Sequence, residues 1–214
     1  MCNFLGIDYS ITSPGLCFYS GDPKKFSFNK CEIYYFGETS CKIKENITRL
    51  EYPKWELQTE RYYNLTKIIV DNVIKNRPIE FVLIEGYSYG SRLGQIFQIA
   101  ENTSLLKNMF WSRKIPFDAV SPKTVKVFAT KNGNSKKEDM YSAWTEINKG
   151  VDLINLITPG TKSKKIKSPV ADIIDAYWIC SYLVNNYEKF DKSNPKPFVD
   201  QVKQKKEKKT KKCQ

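Results

Sequence analysis

The sequence predicts an α/β fold built around a mixed sheet. Three short apolar runs of strand character open the chain, and its second half alternates helical periodicity with further strand-like runs. That alternation is the mark of strands joined by helical crossovers. Hydrophobic residues make up 41% of the 214 and aromatic residues 14%, enough to fill the core of one domain.

The elements follow in order. "CNFLGID" (2–8) is continuous and apolar, as in a strand buried on both faces. "GLCFYS" (15–20) follows the turn-rich "YSITSP", so the two predict a hairpin, and "CEIYYFG" (31–37) is a third strand. Residues 38–55 are polar and mixed, with no assignable period. Leu57, Arg61, Leu65, Ile68, Ile69, Asn72 and Val73 recur at helical spacing and predict a helix over 55–76. "EFVLIEG" (80–86) is a buried strand, residues 91–113 a helix, and "IPFDAV" (115–120) another strand. Ser121-Pro122 has the form of an N-cap followed by Pro at the first helical position. A further helix starts near Ser135 and runs to Asn148. Ser168-Pro169 repeats the start signal before a last helix that reaches about Asn186. The reading therefore divides the chain into one folded domain, 1–188, and a basic, solvated tail, 189–214.

Charge and composition narrow the function. The net charge of +12 suggests an anionic partner, nucleic acid above all. Ten Lys against three acidic residues in the tail account for +7 of it, so the body is only mildly basic. The chain has no histidine, which excludes Ser-His and Cys-His nucleophiles and His-rich zinc sites. No two of the six cysteines form CxxC, so no zinc is expected, and the cysteines, with Cys2, Cys17 and Cys31 on strand-like runs and Cys180 on a helix-like one, read as small buried hydrophobes in a reducing compartment. The N-terminus lacks the form of a signal peptide and no run is long enough for a membrane span. The expectation is a protein that is not secreted and touches no membrane, placed in the cytoplasm, or in the nucleoplasm or a viral factory of a eukaryotic host.

Four acidic residues stand out by position. Asp8 ends the first strand, and Glu85 ends the strand over 80–86. Asp172 and Asp175, three apart on the last helix, project from nearly the same face. Ligand sites form at strand ends in α/β sheets. Carboxylates brought together there repel, and divalent cations resolve the repulsion. Mg²⁺ takes oxygen ligands, and two ions about 4 Å apart activate water and stabilise the leaving oxygen in phosphodiester cleavage without any histidine. Taken singly, Asp8 or Glu85 reads equally as a turn residue, and Asp172 as a charge favoured by the helix N-terminus.

The segments "FLGIDYSITSPGLCFY", "VLIEGYSYGSRLGQ", "AVSPKTVKVFATKNGNSKKEDM" and "SPVADIIDAYWI" resemble, in order and spacing, a RuvC-type Holliday junction resolvase, a nuclease family of the ribonuclease H-like superfamily. The resemblance covers about residues 3–186. It implies a ribonuclease H-like, mixed five-stranded sheet flanked by helices on both faces. It also implies a homodimer, formed through the helix over 91–113, that binds branched DNA and nicks opposed strands of four-way junctions with Mg²⁺ or Mn²⁺, two ions per site. Asp8, Glu85, Asp172 and Asp175 match the family's metal-binding catalytic acids. Lys126 matches a family lysine near the DNA, and Lys137, with Lys136 beside it, a second basic position. Lys123 and Arg92 join this DNA-contacting set. The loop after Glu85 is shorter than the bacterial one, and Tyr87 or Tyr89 reads either as a replacement for its junction-contacting aromatic or as a packing aromatic. Tyr9-Ser10 replaces the family's Pro-Gly, residues 38–55 and the tail look like additions, and the mixture resembles phage or viral relatives. Lys164, Lys165 and Lys167, in the loop before the last helix, are placed to track phosphates.

Three other readings compete: a nuclease of the same fold acting on flaps, other branches or RNA–DNA hybrids; an ATP-binding protein of the actin and sugar-kinase type, whose first strand also ends GxD; and an inactive DNA-binding protein. The kinase type needs glycine-rich phosphate loops that the ten glycines do not form, and retention of all four acids opposes the last.

Overall fold

In the computed structural model the described residues are 2–87, 93–160 and 165–193. The opening apolar runs form β1 (Cys2–Asp8), β2 (Gly15–Gly21) and β3 (Cys31–Gly37). β1 and β2 pair as an antiparallel hairpin, in register from Cys2 opposite Gly21 to Asp8 opposite Gly15, and β3 adds antiparallel to β2. The region left unassigned by periodicity supplies two more strands, β4 (Cys41–Lys44) and β5 (Ile47–Glu51). β5 runs parallel to β3, and β4 closes antiparallel on β5. β6 (Phe81–Glu85) lies parallel to β1, and β7 (Phe117–Val120) parallel to β6. The sheet therefore has seven strands, in the order β4-β5-β3-β2-β1-β6-β7, rather than five. The two extra strands escape periodicity because they form a sheet edge. β5 buries only Ile47 and Leu50, and β4 buries no residue fully and carries lysines, as edge strands commonly do.

The helices are α1 (Gln58–Ile69), α2 (Leu93–Ser112), α3 (Pro122–Thr130), α4 (Lys137–Ile147), α5 (Leu153–Ile157) and α6 (Val170–Asn186). A π-helical turn, Val70–Ile74, extends α1 through the span read as one helix. The cap read at Ser121 forms: its hydroxyl accepts from the Thr124 N–H at 3.1 Å, with Pro122 first in the helix. The matching signal at Ser168-Pro169 does not. The bond between them is cis, Pro169 holds the cap position, and the helix begins at Val170. The cap position falls to Pro169, which has no hydroxyl, and the Ser168 side chain lies near that of Asp172.

Both faces of the sheet are covered. Alternation along β1 sends Phe4 to one face and Leu5 and Ile7 to the other, seeding two clusters. On the first face α6 packs with residues of α3, α4 and α5; on the second lie α1 and α2. α6 is apolar over most of its circumference, from Val170 to Val184, as a helix pressed between a sheet and other helices must be. It lies directly on the strand backbones. A Cβ at Gly6 would stand 2.4 Å from the Cys180 nitrogen, and one at Gly15 would stand 2.3 Å from the Asp172 carbonyl oxygen. These two glycines set α6 against β1 and β2 and fix where its acidic residues stand. Cys17, Cys31 and Cys180 are buried free thiols, and among the described residues no helix is long and apolar enough to cross a membrane.

Candidate active site

The ends of β1 and β6, adjacent parallel strands inside the sheet, deliver Asp8 and Glu85 side by side. The first turns of α6 bring Asp172 and Asp175 over the same ends. Asp8 and Asp172 are nearly inaccessible, at 7% and 6% exposure, while Glu85 and Asp175 are half-buried.

Their electrostatics are those of like charges held out of water. Burial pushes the Asp8 carboxyl well above the usual range, and repulsion from Glu85, Asp175 and Asp172 adds to it, against an easing by Lys137. Glu85 is raised to about 7, by burial first and Asp175 second, although it accepts a hydrogen bond from Asp8 and feels Lys126. Asp175 is raised to about 6 by burial, with Lys137 and Lys126 easing what Asp172 worsens. Asp172 is raised by burial against hydrogen bonds from Ser168 and Ser13.

The residues present suit a hard divalent cation in chemistry and burial. All four candidate donors are carboxylates, and the buried Oδ2 of Asp172 has no hydrogen-bond partner. Among the described residues no group of three or more acidic or thiol side chains is arranged to hold a metal ion as it stands. Asp8, Glu85, Asp172 and Asp175 would be the ligands.

A stability effect follows from the raised carboxyls. Folded Asp175 and Glu85 keep their protons up to about pH 6 and 7, while unfolded carboxyls lose theirs near 4. Between those limits the folded chain binds more protons, so stability falls as pH rises through that window. In EDTA the melting temperature is expected to drop between pH 5 and 7.5, as the Asp175 share takes on the order of 1.4 kcal/mol from the stability over that range. Asp175→Asn should flatten the profile, and Mg²⁺ at pH 7.5 should raise the wild-type value by mass action. A thermal-shift series against pH checks all three.

The basic candidates divide. Lys126 on α3 and Lys137 at the start of α4 line a cavity of about 190 Å³ together with Glu85 and Asp175. Lys136 caps α4 with its backbone N–H donating to Asp139 Oδ2 at 2.8 Å, and its side chain is exposed. Lys123 lies apart from the acids, in a groove of about 670 Å³ with Lys131 and Tyr182. Lys165 and Lys167 are exposed beside a third groove, next to Ser168. Tyr87 lines a cavity of about 380 Å³ that also holds Asp8, Glu85 and Arg61, and Lys107 Nζ stands 5.2 Å from its ring centre. Tyr89, Arg92 and Lys164 lie outside the described residues, as does the tail from 194.

Periodicity did not reveal three participants. Ser13 and Ser168 stand near Asp172 and favour its ionised form against burial, and nothing in their turn-like surroundings distinguishes that role from capping. Arg61 was visible only as a cation in an apolar helical stripe.

No protein-family model matches the chain, and no curated protein sequence matches it. Among solved structures, Thermus thermophilus RuvC is 16% identical, with a TM-score of 0.55 over 87% of this chain and 96% of that one. T. thermophilus RuvC in complex with Holliday junction substrate is 15% identical, with a TM-score of 0.56 over 91% and 99%. The chain thus has the α/β fold of the RuvC resolvases, with two edge strands more than the five that resemblance implied.

Proposed function

We propose that the chain is a metal-dependent, structure-selective DNA endonuclease that resolves four-way junctions by paired nicks. One observation carries this reading: in a RuvC-like fold, four carboxylates from β1, β6 and α6 meet at one end of the sheet, raised together by burial and mutual repulsion. Asp8, Glu85, Asp172 and Asp175 hold Mg²⁺ or Mn²⁺, two ions per site, which supply an activated water and stabilise the leaving oxygen. Lys126 and Lys137, beside Glu85 and Asp175, offset the charge of an entering phosphate. Ser13 and Ser168 hold the Asp172 carboxylate in place. Nicking two opposed strands requires two sites, so the working form is a homodimer, with α2 as its contact. Lys164, Lys165 and Lys167 and the basic tail 189–214 follow the DNA arms, and the nuclease domain is 1–188. The compartment is the one that holds the DNA, cytoplasm or nucleoplasm.

The test is a panel of end-labelled substrates with Mg²⁺: a four-way junction, a flap, a linear duplex and an RNA–DNA hybrid. Symmetric paired nicks on the junction, and slow or no cutting of the others, are expected. Equal cutting of flaps or hybrids would replace the resolvase reading with a general nuclease of the same fold.

A further inference from the structure

Glu85 lines two cavities. One holds the lysines already described. The other, of about 380 Å³, has Asp8 and Glu85 on one side and Arg61 on another. Arg61 is half-buried and stands in the stripe of α1 that otherwise carries Leu65 and Ile69 inward. Its guanidinium is braced from several directions. Nε and an Nη2 hydrogen donate to the Tyr52 hydroxyl at 3.0 and 2.6 Å, and Nη2 donates to the Ile11 carbonyl at 2.8 Å. The Tyr52 hydroxyl itself donates to that same carbonyl. The guanidinium carbon lies 4.5 Å from the Trp55 ring centre and 5.6 Å from that of Tyr52. Yet none of the ion pairs among the described residues includes Arg61. A guanidinium has five donors in a fixed fork, and Nη1 makes none of these bonds. The result is a positive charge fixed in place, without a counter-ion, facing a cavity that it shares with two acids.

We propose that Arg61 binds a backbone phosphate of the cleaved DNA strand, on the side of Glu85 opposite to Lys126 and Lys137. This rests on the nuclease reading above and adds to it a strand path: the chain crosses Glu85, gripped by lysines on one side and by a rigid guanidinium fork on the other. A fork suits the non-bridging phosphate oxygens, and bracing by Tyr52, Trp55 and Ile11 lowers the entropy lost on contact.

The test measures binding of a labelled four-way junction in Ca²⁺ as a function of salt, with wild type, Arg61→Gln and Arg61→Lys. Arg61→Gln is expected to bind roughly tenfold more weakly and to lower the salt slope by about 1. Arg61→Lys should keep the slope while losing affinity, because charge survives and the fork does not. A series of junctions with single neutral methylphosphonates near the cut should show one position where neutralisation weakens wild type and leaves Arg61→Gln unaffected. Should Arg61→Gln fail to fold, as read by circular dichroism, Arg61→Lys takes its place in that series, with reduced sensitivity at that position expected. Wild-type affinity and slope in Arg61→Gln, or no sensitive phosphate in wild type, would overturn the clamp and leave the nuclease reading standing. A wild-type protein that binds no DNA at all overturns both.

Discussion

Asp175→Asn is expected to abolish Mg²⁺-dependent junction cleavage while leaving junction binding intact. Losing a carboxylate ligand removes several kcal/mol of transition-state stabilisation, about a thousandfold in rate or more. Asn keeps the shape and one oxygen, so neither the packing of Ile174 and Ala176 nor the lysine contacts with DNA need change. The same variant should melt no lower than wild type without metal at neutral pH. The Asp175 charge is opposed by burial and by Asp172, and removing it relieves both. Loss of activity paired with unchanged or higher metal-free stability marks a charge held for function rather than for the fold. Gel assays of cleavage and binding beside a melting curve in EDTA read the pair. Undiminished cleavage would sink the assignment of the site.

Gly6→Ala should be the most damaging single-methyl change to stability. The new Cβ would stand 2.4 Å from the Cys180 nitrogen and 2.7 Å from its Cα, and backbone atoms cannot rotate away. Relief requires α6 to lift from β1, an interior strand of the sheet, disturbing a core that includes Ile173, Tyr177 and Leu183. Overpacking of this kind costs about 3 kcal/mol, a large share of the roughly 5–15 kcal/mol that holds a domain folded. A urea midpoint well below wild type is expected, and an unchanged midpoint would show that α6 is not seated as described. Gly15→Ala presses on the Asp172 carbonyl in the same way. It should lose cleavage as well as stability, because it moves a candidate ligand.

Much of this was legible in the chain. Continuous apolar runs marked β1, β2, β3 and β6, and Ser121-Pro122 marked the start of α3, because those signals are local. β4 and β5 were not legible. β4, at the edge, and β5 beside it bury too few side chains to imprint a period, and the pairing of β5 with β3 is set by packing rather than by pattern. Ser168 misled for a related reason: a Ser-Pro pair signals a cap locally, but the surrounding turn puts Pro169 rather than Ser168 at the cap position. The candidate acids were visible as carboxylates at strand ends and as a pair three apart on an apolar helix.

What the sequence by itself determined was therefore an inventory: most of the strands and helices, the absence of histidine, and four acids at telling positions. The tertiary structure decided that these acids meet. β6 lies beside β1 although Glu85 stands far from Asp8 in the chain, and two glycines let α6 close over both. Burial and repulsion, which exist only once the acids are together, then raise the carboxyls, and the packing of α1 on the other face turns Arg61 from an odd member of a helical stripe into a charge facing the site. Local chemistry is written residue by residue, whereas proximity across the sheet is a property of packing.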